Sequence, residues 1–132
     1  MVDKVRLLCI AAMVAVLTGC SAVGPDADGA ARVAEDFHRA VVAGRGELAC
    51  SMLTAGARSA VEESAGSCSE GIVNGDLPTA LTVLTSEAFG QAAQVRMTGD
   101  VVFLGFVDGR WQVTAAGCRA QPSGPYDCTV EG

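Results

Sequence analysis

The sequence predicts an α+β fold, with N-terminal helices packed on a curved antiparallel sheet, and three observations carry that prediction. Apolar residues recur at helical spacing from Ala30 to Ser64, and after Pro78 the period shortens towards two. Asp108-Gly109 then separates two strand-like runs, the strongest hairpin signal in the chain, because both central positions of a type I′ turn need φ > 0. Helices followed by a run of hairpins leave the helices to cover one face of the sheet.

The first element is not part of that fold. Lys4 and Arg6 precede an unbroken apolar run from Leu7 to Leu17, with Asp3 offsetting one of the two positive charges. The run is far shorter than the ~20 residues that cross a bilayer as a helix, so it reads as a removable signal peptide over residues 1–19. Leu17-Thr18-Gly19-Cys20 closes it and resembles a bacterial lipoprotein lipobox. Small residues at Thr18 and Gly19 suit the narrow cleft of a membrane peptidase that cuts between Gly19 and Cys20. Only a cysteine at position 20 offers a thiol for diacylglyceryl transfer. The resemblance implies a palmitate-labelled Cys20 at the mature N-terminus and a protein held on the extracytoplasmic face of the cell membrane. Two or more acyl chains make such anchoring stable where one would not.

Residues 20–29, with Gly24, Pro25, Asp26, Asp28 and Gly29, lack an apolar period and read as a tether. Residues 30–132 then suit one domain. Its first helix carries Val33, Phe37, Ala40 and Val41 on one stripe, with Asp28 available as N-cap and Gly44 as the stop. A second short helix carries Leu48, Ala49, Met52 and Leu53, and Thr54 caps a third through Ala57, Ala60 and Val61. Ser64 to Pro78 reads as a loop. Strands are expected over Ala80 to Thr85, Ala92 to Met97, Val101 to Val107 and Arg110 to Ala116, with Thr98-Gly99-Asp100 as a turn. In the last strand Trp111, Val113 and Ala115 alternate with Arg110, Gln112 and Thr114, which predicts one buried and one wet face.

The full chain has nine basic and fifteen acidic residues; without Lys4, Arg6 and Asp3, seven and fourteen remain, a net charge of −7 with no lysine. That balance argues against a nucleic-acid partner and against electrostatic docking on anionic lipid. The membrane is then a partner only through the lipid anchor.

A domain of about a hundred residues buries only about two thirds of its unfolded surface, so its core needs reinforcement. With Cys9 discarded and Cys20 acylated, Cys50, Cys68, Cys118 and Cys128 remain, an even number in an exported domain. Three pairings are open to them. Proximity favours Cys50 with Cys68 and Cys118 with Cys128, each contributing roughly 3 kcal/mol by loop entropy. No C-x-x-C pair supports a metal site.

Candidate chemistry is sparse. His38 is the sole histidine and falls beside the apolar stripe of the first helix, where a surface or half-buried structural role is favoured over a catalytic base. Trp111 is expected to fill the core between sheet and helices, with a pocket wall as the alternative, so His38 and Trp111 are the two candidate pocket residues. Asp100 and Asp108 are explained by turn chemistry, and Glu62-Glu63 by a solvated helix end. Gly44-Arg45-Gly46 lacks the rest of a phosphate loop. No catalytic residue and no cofactor site is assigned.

Asp36-Phe37, the Gly44 break, Leu48-Ala49-Cys50-Ser51-Met52-Leu53 and the closing Trp111-Gln112-Val113-Thr114-Ala115-Ala116-Gly117-Cys118 together resemble small secreted lipoproteins of high-GC Gram-positive bacteria, whose domain is similar to the NTF2-like cone. The resemblance implies a sheet curved around a pocket that helices close. Relatives range from isomerases to pure binding modules, so fold alone assigns no function. Ketosteroid-isomerase-like members need a carboxylate base and an oxyanion partner such as tyrosine in one apolar pocket. The only tyrosine here, Tyr126, lies in the C-terminal tail.

The favoured expectation is a non-enzymatic envelope module that binds a protein partner. The alternative is a binder of a small, unidentified apolar ligand, with Ala88, Gly90, Ala92, Ala93 and Gly105 leaving room on the sheet; a hydrolase or isomerase built on His38 ranks last.

Overall fold

A computed structural model describes residues 25–79 and 82–132. The signal peptide, Gly19 and the expected lipidation site Cys20 lie outside the described residues, as do Ala80 and Leu81.

Helix α1 spans Ala27–Val42. Its N-cap is Asp26, whose carboxylate accepts from the Gly29 N–H, and not Asp28, which sits in the first turn where a negative charge suits the helix dipole. The helix therefore starts inside the stretch read as tether. Ala30, Ala34, Phe37, His38 and Ala40 form its buried stripe. Full burial of Phe37 alone contributes about 1.5–3 kcal/mol. The chain reverses at Gly44, whose φ of +70° costs glycine nothing.

Three short helices follow: α2 (Gly46–Ser51), α3 (Ala55–Ala65) and α4 (Cys68–Asn74). Thr54 caps α3 as expected, its hydroxyl oxygen accepting from the Ala57 N–H. Helix α4 lies where a loop was expected. It has only seven residues and no side-chain cap, so nothing local marks it. It is held from outside, by a disulfide from Cys68 to Cys50 in α2 and by Ile72, which is 1 % exposed. Gly46 is what allows α2 to approach so closely, because a Cβ there would strike the Ser69 carbonyl of α4.

Strands β1 (Val83–Phe89), β2 (Ala92–Met97), β3 (Asp100–Val107), β4 (Arg110–Arg119) and β5 (Asp127–Glu131) form one antiparallel sheet in sequence order. At the β3–β4 turn Asp108 and Gly109 have φ of +52° and +77°, as a type I′ hairpin demands. The C-terminal strand β5 was read only as a tail. It pairs with β4 from Ala115 to Arg119, and the second disulfide joins the cross-strand pair Cys118 and Cys128.

One bulge reorganises the faces of β4. Phe103 pairs with Ala115 but Leu104 pairs with Val113, which leaves Thr114 as the extra residue. Before it Trp111 and Val113 face the helices; after it Ala116 does, and Ala115 moves to the outer face. That outer face is not uniformly wet. Gln112 is 7 % exposed, donating from its amide nitrogen to the Val107 carbonyl, and the Tyr126 ring packs edge-on against Phe103 at 5.1 Å. Beside the bulge β4 borrows a neighbour: the Val113 N–H donates to the Met52 carbonyl, and the Thr54 N–H donates to the Val113 carbonyl. The core lies between the four helices and the sheet, with Phe37, Ile72, Val95, Val102, Leu104 and Val113 among its most buried side chains.

Candidate functional site

The position of α1 on the sheet follows from three contacts. At its start the Asp26 carbonyl accepts from the Trp111 indole N–H at 3.0 Å, and the Ala27 carbonyl accepts from the Ser86 hydroxyl at 2.7 Å. At its far end His38 meets Asp100, the first residue of β3. Helix α1 therefore runs from the end of the sheet that bears the β1–β2 and β3–β4 hairpin tips towards the β2–β3 turn.

Asp100 is the centre of the polar interior. Met97, Asp100, Val102 and Leu104 share the helix-facing side of their strands, so a period of two aims this carboxylate into the core, where it is 4 % exposed. Its Oδ1 accepts from the Val101 N–H at 2.7 Å and the Cys118 N–H at 3.0 Å, and its Oδ2 accepts from the Gly117 N–H at 3.2 Å. His38 Nε2 approaches Oδ2 at 2.7 Å. A carboxylate that already accepts three backbone N–H bonds is an acceptor towards the imidazole as well, so the fourth hydrogen belongs to Nε2. The successive amides of Gly117 and Cys118 point at one carboxylate because Gly117 has φ of +67°. A side chain there would crowd Thr129 and Leu77.

This arrangement secures the fold and is closed to a substrate. Both side chains of the pair are 0 % exposed, and His38 Nδ1 is buried without a hydrogen-bond partner. The position expected for His38, at or near the surface, is corrected: it is fully buried because Asp100 reaches it from the sheet. Asp100 is likewise more than a turn residue. Trp111 is 6 % exposed, with its ring edge-on to Phe106 at 5.3 Å and its N–H satisfied by Asp26. Phe37, Ile72, Leu104 and Trp111 belong to one buried core cluster. Of the small residues expected to leave room, Ala93 is part of that packing, whereas Ala92 is exposed on the opposite face.

Beside this cluster Val61, Ile72, Leu77, Thr129 and Val130 line a hollow of about 240 Å³, and larger concave surface lies elsewhere. A hollow of about 620 Å³ is bounded by Gly44 to Leu48 on one side and by Ser69, Glu70, Val73 and Asn74 of α4 on the other. A second of about 430 Å³ shares Arg45 and Leu48 with it and continues to Asp36, Arg39 and Met52. Leu48 between them is 39 % exposed. Neither His38 nor Trp111 lines them. The outer sheet face has a third hollow, of about 360 Å³, beside Phe103, Ala115 and Tyr126. Glu62 is paired with Arg58 at 3.0 Å across one turn of α3, as a solvated helix face would be.

Among the described residues no group of three or more His, Cys, Asp or Glu side chains is placed to hold a metal ion, and no helix is long and apolar enough to cross a membrane. The hollow around Leu48 was not found from the sequence because half of it is made by α4. Asp100 carried a usable signal, since the alternation through Val102 and Leu104 extends back to it. No family model, curated protein or solved structure matches this chain.

Proposed function

We propose that this protein is a lipid-anchored module on the extracytoplasmic face of the cell membrane, acting by binding an envelope protein and without catalysis of its own. The observation that carries the reading is the sequence Leu17-Thr18-Gly19-Cys20, set directly after a basic start and a short apolar run. Two disulfides in the domain behind it suit an oxidising compartment. The only histidine and its aspartate are spent on holding α1 to the sheet, which supports a binding role over a catalytic one. The adjoining hollows around Arg45 and Leu48 offer a partner mixed charge around the apolar side chains of Leu48, Val73 and Met52, and a residue of the partner inserted there would cover Leu48.

Metabolic labelling with radioactive palmitate tests the anchor. The full chain should carry label, and Cys20→Ala should lose it entirely; label that persists in the variant overturns the lipoprotein reading. A photo-crosslinking side chain at Leu48 in intact cells tests the binding role. One discrete protein adduct is expected, and a chain that crosslinks only to lipid or to nothing counts against it.

A further inference from the structure

Two large apolar side chains stand exposed among polar ones at the tethered end of the domain. Phe89 is 65 % exposed and Val107 is 43 % exposed. Both lie on the outer face: Phe89 is opposite Ala92, Ala92 is opposite Gly105, and Gly105 is two residues from Val107 along β3. The small side chain of Ala92 and the absence of one at Gly105 leave Phe89 and Val107 standing proud.

The same end receives the chain from the anchor. The Asp26 carbonyl is bonded to Trp111, Trp111 is opposite Phe106, and the Phe106 N–H donates to the carbonyl of Gln91 at the β1–β2 tip. From Cys20 to Asp26 the chain spans six residues, a reach of at most about 20 Å even when fully extended. The anchor therefore holds this end, and not the α2–α4 side, against the bilayer.

We infer that the β1–β2 and β3–β4 hairpin tips, through Phe89 and Val107, dock into the headgroup–acyl boundary of the membrane that holds the lipid anchor. This inference rests on acylation of Cys20. Aromatic and aliphatic side chains at such a boundary bury apolar surface without crossing the bilayer. Arg110, directly opposite Val107 in the register, is exposed and long enough to reach a lipid phosphate, while Asp108 at the turn offsets its charge. The contact is thus apolar and insensitive to salt, in keeping with a domain of net negative charge. Docked this way, the protein is oriented as well as tethered.

The test uses the full chain, matured in its host and placed in phosphatidylcholine–phosphatidylglycerol vesicles, with a nitroxide spin label on Gln91→Cys and, separately, on Ser59→Cys in exposed α3. The mass of each sample reports whether Cys20 carries its diacylglyceryl group. The Gln91 label should be several-fold less accessible to a water-soluble nickel chelate than the Ser59 label, at low and high salt alike. Adding Phe89→Ser and Val107→Ser, both surface changes, should remove the difference. Equal accessibility on an acylated chain overturns the docking and leaves the anchor intact, whereas absence of the acyl mass overturns both. A Gln91 label that is exposed on vesicles but shielded in native membranes would assign the patch to a protein and overturn docking on lipid.

Discussion

Asp100 and Asp108 look alike in the sequence, each beside a glycine at a turn, and the structure gives them opposite roles. Asp108 is exposed, and its φ of +52° is one that asparagine tolerates as well. Asp100 takes three backbone N–H bonds and the His38 imidazole in a buried site. In Asp100→Asn one oxygen becomes an NH₂ group, which must face either the Val101 and Cys118 amides or the Gly117 amide and His38; donor then opposes donor. The expected loss is about 3 kcal/mol, because buried donors are left unpaired and a buried pair is broken. Asp108→Asn, with nothing buried at stake, should stay within about 0.5 kcal/mol. Urea denaturation of the two variants against the parent measures both, and equal losses would show that the Asp100 cluster does not hold α1 to the sheet. The difference was partly legible. Turn composition explained Asp108, but at Asp100 the strand period continues through the turn residue, and that period decides which way the carboxylate points.

At the scale of elements, what could be read in advance follows the range of the force responsible. Thr54 caps α3 through its own side chain, and Asp108-Gly109 closes a hairpin through its own backbone; both are local, and both were foreseen. Helix α4 and strand β5 are not local. Seven residues without a side-chain cap are too few to hold a helix in water, so α4 depends on Cys50, Ile72 and the close approach at Gly46. The bulge at Thr114 is equally silent in the sequence, and it moves Ala115 to the outer face that alternation alone assigned to the core. Removing the link should therefore act on α4 first. In Cys50→Ser with Cys68→Ser, the loop-entropy term of about 3 kcal/mol is lost from global stability, on the order of a hundredfold in exchange for every amide that opens only with the whole fold, and the amides of Gly71 to Asn74 should exchange faster still, through local opening of α4. Those of β3 and β4 should change no more than global stability does. Hydrogen exchange followed by mass spectrometry reads this directly. Uniform loss of protection across the chain would mean that the disulfide supports the whole fold and not one helix.

For the whole molecule, the two disulfides and the proposed address form one argument. The closed loops span 18 and 10 residues, and each bridge contributes about 3 kcal/mol by restricting the unfolded chain. Their sum, about 6 kcal/mol, is comparable with the entire stability of an ordinary small domain. The core that remains is thin in large side chains: Phe37 and Trp111 are its fully packed aromatics, and alanine fills much of the α1 stripe. The fold should consequently be complete only where thiols are oxidised, beyond the membrane to which Cys20 would attach it. Urea unfolding with and without a thiol reductant tests this. The oxidised chain should expose no free thiol from Cys50, Cys68, Cys118 or Cys128, and its midpoint should fall steeply on reduction, to the point where much of the reduced chain is unfolded without urea. A midpoint that hardly moves would mean that packing alone sustains the domain, and the disulfides would then lose their value as a sign of where the protein works.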